Sequence, residues 1–236
     1  MAEHEDVYRN ETETYHALVS REDYLHNLDV TIKRLIPSDS SILESGAGTG
    51  RVTKILAPLA SELTAFDISV PMVSRASTIS EMDRSHFLGY GSADHRHLPV
   101  GSARFDWIVS GWSVCYLVSW QRKNWIPEVI IALQEFLRVL KPDGRILLIE
   151  TLGTGKTAPE PPPHLIDYLQ FLDNVGFNRQ WIRTDYLFDN AESARLLTEF
   201  FFGSEMLQFI ESGTLLPECT GLWIGQKETI KKNLFD

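Results

Sequence analysis

The chain has 236 residues, enough for one doubly wound domain with a full core and short for two. Its formal net charge is −10 and its longest basic run is Lys231-Lys232, which disfavours a polyanionic partner such as nucleic acid. No apolar run approaches the roughly 20 residues of a membrane span. The acidic start Met1-Ala2-Glu3-His4-Glu5-Asp6 lacks the basic-then-apolar pattern of a leader, so a cytoplasmic protein with no membrane partner is expected. Cys115 and Cys219 have neither metal-ligand spacing nor the makings of a disulfide framework. They read as two thiols in a reducing compartment, and no metal is expected.

In chain order, Tyr8, Tyr15, Leu18, Tyr24, Leu25, Leu28, Ile32 and Leu35 recur mostly three or four apart. They predict a helical amino-terminal cap over residues 1–36, broken near Val19-Ser20 and ended by Pro37. Ser41–Glu44 reads as a strand, Gly46–Gly50 as a glycine loop and Arg51–Leu59 as a helix. Leu63–Asp67 is a second strand, followed by a helix that Ser69 can cap and Pro71 fits in its first turn. Phe87–Gly91 and Arg104–Ser110 are further strands. Asn124–Leu140 is a helix stopped by Lys141-Pro142-Asp143-Gly144, and Arg145–Glu150 is a fifth strand. The strand runs are nearly continuously apolar, as in a parallel sheet covered on both faces. A proline- and glycine-rich loop follows at 152–163, then a helix from His164, an alternating strand over Phe177–Phe188, a helix over Ala191–Ile210 and a last strand at Thr220–Gly225. Together these predict a single α/β domain over 1–236: a doubly wound, mostly parallel seven-stranded sheet over 37–236, with a helical insertion near 191–213.

Glu44-Ser45-Gly46-Ala47-Gly48-Thr49-Gly50 stands between a strand and a helix. Its glycines permit a sharp turn and let a ligand lie on bare backbone. A dinucleotide fingerprint with Gly46 and Gly48 would need glycine at position 51, which is Arg51. Glu44 is repulsive toward a pyrophosphate and favourable toward a cationic ligand. Asp67 ends the second strand 17 residues after Gly50, where an acid can accept both ribose hydroxyls.

This E-x-G-x-G-x-G run after the first strand resembles motif I of the class I S-adenosylmethionine-dependent methyltransferases. The resemblance implies a Rossmann-like fold, S-adenosylmethionine as cofactor and S-adenosylhomocysteine as product. It places Glu44, Ser45, Gly46, Ala47, Gly48, Thr49 and Gly50 along the amino-acid end of the cofactor, and Asp67 at the ribose. Ile68 and Met72 would pack on adenine or ribose. Asp94 would sit at the adenine amino group with Ala93 giving a backbone N–H to the ring, His95 beside them. Ser110, Gly111 and Trp112 would lie toward the sulfonium. Tyr15-His16-Ala17-Leu18-Val19 and Glu22-Asp23-Tyr24 resemble the amino-terminal cap of small-molecule methyltransferases, while Phe200-Phe201-Phe202-Gly203 and Glu218-Cys219-Thr220-Gly221 resemble an uncharacterised bacterial branch. Neither names a substrate.

Methyl transfer needs a base only when the nucleophile is protonated. The candidates are His95, His97, Tyr116 and Glu150. The acceptor pocket is expected between the amino-terminal helices, Trp112–Tyr116 and the segment from His164, with Tyr8, Tyr15, Trp112, Tyr116 and His164 as its walls. A small-molecule acceptor and a monomer or homodimer are expected. A non-catalytic cofactor-binding scaffold, or another alkyl transfer from the same cofactor, are the alternatives.

Overall fold

The computed structural model describes residues 7, 10–78, 86–121 and 124–235. Tyr8 lies outside the described residues. Within them, α1 (Thr12–Val19) and α2 (Asn27–Leu35) form the cap. The chain breaks between them where Asp23 and His26 take left-handed backbone and Asp23 Oδ2 accepts from the Leu28 amide at 2.9 Å.

The core follows as β1 (Ser40–Ser45), α3 (Arg51–Leu56), β2 (Ala60–Asp67), α4 (Val70–Ser77), β3 (Phe87–Ser92), β4 (Phe105–Gly111), α5 (Cys115–Gln121), α6 (Trp125–Val139) and β5 (Leu140–Thr154). Then come α7 (Ile166–Asn174), β6 (Asn178–Arg183), β7 (Tyr186–Leu187), α8 (Ala191–Phe202), β8 (Leu215–Leu216), β9 (Glu218–Gln226) and α9 (Lys227–Phe235). The predicted seven-stranded sheet is present, in the order β3-β2-β1-β4-β5-β9-β6. Every pairing from β3 to β5 is parallel, and β9 runs antiparallel to both β5 and β6.

Alternate strand residues feed two cores. Ile42, Val109, Leu147 and Leu222 pack on α2 and α3 through Leu28, Ile32, Val52 and Leu56. Leu43, Ile108, Ile146 and Leu148 pack on the other face against Leu133, Phe136, Tyr168 and Ile230. Burying both faces removes each large aliphatic side chain from water, a gain of about 1.5–3 kcal/mol apiece.

Four local readings change. Lys141–Gly144 does not separate α6 from the fifth strand: Leu140 pairs with Phe105 and Arg145 with Trp107, so the intervening residues bulge out of a strand that begins where the helix ends. The alternation over Phe177–Phe188 covers two strands in different sheets. Between them, Thr184 Oγ1 reaches Glu22 and Thr220, and Asp185 Oδ1 accepts from the Glu218 amide. The helix from Ala191 stops at Gly203, whose φ of +94° breaks it, and a 3-10 turn spans Ser204–Phe209. Helix α5 went unread in the sequence. Residues 191–213 lie in the chain between the two strands of the β7–β8 sheet, and Phe201 and Phe202 join Leu18, Tyr186, Phe188 and Leu216 in a third apolar cluster.

Candidate functional site

Loops leaving neighbouring parallel strands in opposite directions open a crevice at their carboxyl ends. Here that point lies between β1 and β4, and a cavity of about 500 Å³ opens above it. Gly46, Gly48 and Gly50 have φ of +87°, +54° and +88°, a region that side-chain-bearing residues avoid. The amides of Gly46 and Ala47 both donate to the Phe66 carbonyl at 2.7 and 2.9 Å, which bends the loop against the end of β2. Asp67 then locks it: Oδ2 accepts from the Gly48 amide and Oδ1 from the Ser69 amide, each at 2.8 Å. Ser69 Oγ in turn accepts from Met72, the cap expected for α4.

Glu44, Gly46, Ala47, Gly48, Thr49, Asp67, Ile68, Ala93, Asp94, His95, Gly111 and Trp112 line this one cavity. Glu44 is buried, and its Oε2 accepts from Thr53 Oγ1 at 2.5 Å. Burial pushes its carboxyl up to about 8. Asp67 is also shifted upward by burial, against the pull of its two amide donors. Ser45, Gly50, Met72 and Ser110 are set back: Ser45, Met72 and Ser110 are buried beneath the lining, and Gly50 borders a neighbouring groove of about 1190 Å³.

Two details differ from the expected contacts. The Ala93 amide does not face the cavity but donates to the Asp67 carbonyl at 3.1 Å, because it continues the β2–β3 ladder. Asp94 is tied to Arg96, which donates from Nη2 to Oδ2 and from Nε and its amide to Oδ1. Those bonds hold its carboxyl below the ordinary range.

The sequence did not show the polar chain across the cavity floor. Ser45 Oγ lies 2.6 Å from His95 Nδ1, and His95 Nε2 lies 2.9 Å from Ser113 Oγ. One hydroxyl donates and the other accepts, as a neutral imidazole allows. Burial lowers the His95 pKa to about 4, so the ring is neutral in the native protein. The unfolded chain takes up that proton below about pH 6.5, whereas the folded chain resists it until about pH 4. Stability should therefore fall as the pH drops through that window, by on the order of 2 kcal/mol between pH 7 and 5. Urea unfolding of wild type and His95→Gln checks this. The loss should shrink in the variant, and an equal loss in both would show that His95 is not the group.

Of the other candidate bases, Tyr116 lines the cavity and His97 does not. Glu150 is enclosed: Oε1 accepts from the Cys115 amide at 3.1 Å and from Tyr168 Oη at 2.9 Å, and burial pushes its pKa up to about 7. Of the expected acceptor walls, Tyr15, Trp112 and Tyr116 line the cavity. His164 does not, because its turn Pro163–Leu165 sends Leu165 into the core and leaves His164 exposed. Nor is Trp112 open on both faces. The Arg51 guanidinium lies 3.7 Å from its ring centroid and is ion-paired with Glu22. Apart from its use against a dinucleotide, Arg51 gave no sign in the sequence of lining the site.

The sheet order, with one antiparallel strand inserted near the far edge, is that of the class I methyltransferase fold, and the glycine loop locked by Asp67 lies at its crevice. Residues 43–148 match the family described as a methyltransferase domain. A malonyl-[acyl-carrier protein] O-methyltransferase of Pseudescherichia vulneris is 30% identical over 49% of the chain, and the match spans only 40% of that protein's length. An uncharacterized methyltransferase of Bacillus subtilis is 29% identical over 79% of the chain and 68% of its own length. The crystal structure of a SAM-dependent methyltransferase from Aquifex aeolicus superposes with a TM-score of 0.54 at 14% identity, over 86% of this chain and 93% of that one. The chain is thus similar in sequence to methyltransferases and has the fold of the S-adenosylmethionine-dependent methyltransferases. Among the described residues no helix is long and apolar enough to cross a membrane.

Proposed function

We propose that this chain transfers a methyl group from S-adenosylmethionine to a small-molecule acceptor. The observation that carries this reading is the glycine loop bent under Asp67 at the mouth of the β1–β4 crevice. Bare backbone at Gly46 and Gly48 leaves room for the cofactor's amino-acid end, and Glu44 sets a carboxyl beside its cationic groups. Asp67 retains acceptor capacity for the ribose hydroxyls, since a carboxylate has about four lone-pair sites. Ile68 and Ala93 flank the expected adenine position. Bound there, the cofactor supplies a methyl already activated on sulfur: an acceptor lone pair forms the new bond to carbon as the carbon–sulfur bond breaks, and its electron pair goes to sulfur.

The protein's part is alignment and exclusion of water, which can account for up to about 7–11 kcal/mol of a barrier. A small acceptor fits the net charge of −10 and a cavity covered by α1. Tyr15 and Val19 of α1 face the cavity, and His16 Nδ1 lies 3.0 Å from Thr49 Oγ1 in the glycine loop. Glu13 pairs with Arg75 of α4, and the Tyr15 ring lies 5.6 Å from that of Phe201. These ties support reading α1 as a lid over the cofactor. S-adenosylhomocysteine should slow proteolytic cleavage before Ser20 severalfold, and cleavage at an unchanged rate would contradict the lid. Calorimetry with S-adenosylmethionine tests the cofactor assignment.

A further inference from the structure

One cation in the cavity is not fully used by its neighbours. Arg51, the first residue of α3, lines both the cavity and the adjoining groove. Its Nη1 donates to Glu22 Oε2, and Glu22 is buried with Oε1 accepting from Thr184 Oγ1 at 3.0 Å. Among the described residues Arg51 has no other side-chain hydrogen bond, and its side chain, 20% exposed, reaches the surface of both the cavity and the groove. The stack on Trp112 fixes the plane of the guanidinium. Tyr15, Val19, Tyr116, Leu117 and Trp120 line the same cavity and give it an aromatic and aliphatic wall.

We propose that this cavity takes the methyl acceptor as a carboxylate on a compact apolar or aromatic body, with Arg51 holding the carboxylate through its guanidinium N–H groups. The proposal rests on the methyl-transfer reading and narrows its substrate class. A guanidinium presents parallel donors that match a carboxylate and keeps its charge throughout the accessible pH range. The apolar wall lowers the local dielectric and strengthens the pair.

The chemistry balances without a side-chain base. A carboxylate oxygen forms the bond to the methyl carbon, the carbon–sulfur pair stays on sulfur, and the anion and sulfonium become a neutral ester and a neutral thioether. No proton moves. This accords with a site in which His95 is clasped between two serines and Glu150 is enclosed.

The test is a binding measurement on the intact protein saturated with S-adenosylhomocysteine at neutral pH. Benzoate and benzamide, which match in shape and differ in charge, are titrated by calorimetry and by tryptophan fluorescence. Benzoate should bind at least about tenfold more tightly than benzamide, the usual worth of one added charged hydrogen bond. Arg51→Gln should remove that preference. Since this variant leaves Glu22 buried and unpaired, Glu22→Gln/Arg51→Gln is measured beside it and should behave the same. Equal binding of the two probes by wild type, no binding of benzoate at all, or a preference surviving in both variants would overturn the proposal. Failure to bind S-adenosylhomocysteine would instead overturn the methyl-transfer reading, which calorimetry registers before either probe is added.

Discussion

Gly46→Ala should abolish cofactor binding, weakening S-adenosylhomocysteine by at least about a hundredfold, and should destabilise the fold by about 2–4 kcal/mol. A Cβ at this position would lie 2.0 Å from Ser113 Oγ and 2.3 Å from Ser113 Cβ, with His95 Cε1 at 3.1 Å, so the loop after β4 would have to move. The φ of +87° adds backbone strain for any L residue. Moving Ser113 also breaks the link through His95 to Ser45, which joins the loops after β1, β3 and β4. Gly46→Ala/Ser113→Gly removes the clash but not the strain, so it should recover part of the stability. Calorimetry and urea unfolding on both variants decide the matter. Wild-type affinity in Gly46→Ala would mean that the cofactor does not depend on this loop.

Asp67→Ala has the next largest expected effect: cofactor affinity should fall about a hundredfold, equivalent to ~2.7 kcal/mol. The substitution removes the acceptor assigned to the ribose and also frees the Gly48 and Ser69 amides that the carboxylate holds. Asp67→Asn keeps one oxygen acceptor and should lose less. If both variants bind S-adenosylhomocysteine as wild type does, the ribose is held elsewhere.

The parts of the site that proved legible in the sequence are contiguous in it. Strand and glycine loop follow one another in the chain, and the acid ending the next strand lies 17 residues beyond Gly50. Local chemistry therefore announced the loop, the Asp67 position and the Ser69 cap. What was not legible arises from contacts between distant segments. His95 meets Ser45 across 50 residues and Ser113 across 18, and Arg51 meets Glu22 across 29. No periodicity marks such pairs, and their residue types are individually ordinary.

The misplacement of His164 has a local cause. The segment from His164 reads as a wall in the sequence, but its turn Pro163–Leu165 carries Leu165 into the core and leaves His164 exposed outside the cavity. Likewise, the strand read through Phe177–Phe188 alternates convincingly on both sides of Thr184-Asp185. Only the buried partners Glu22, Thr220 and Glu218 reveal that the chain leaves one sheet there for another.

The central claim is that a cationic sulfur cofactor, rather than a dinucleotide, occupies the crevice above Gly46, Gly48 and Asp67. Calorimetric titration of the purified protein with S-adenosylmethionine and, separately, with NAD tests it most directly. Saturable one-to-one binding of S-adenosylmethionine, with no heat from NAD at the same concentrations, is the expected result. Tighter binding of NAD, or no binding of S-adenosylmethionine, would contradict it.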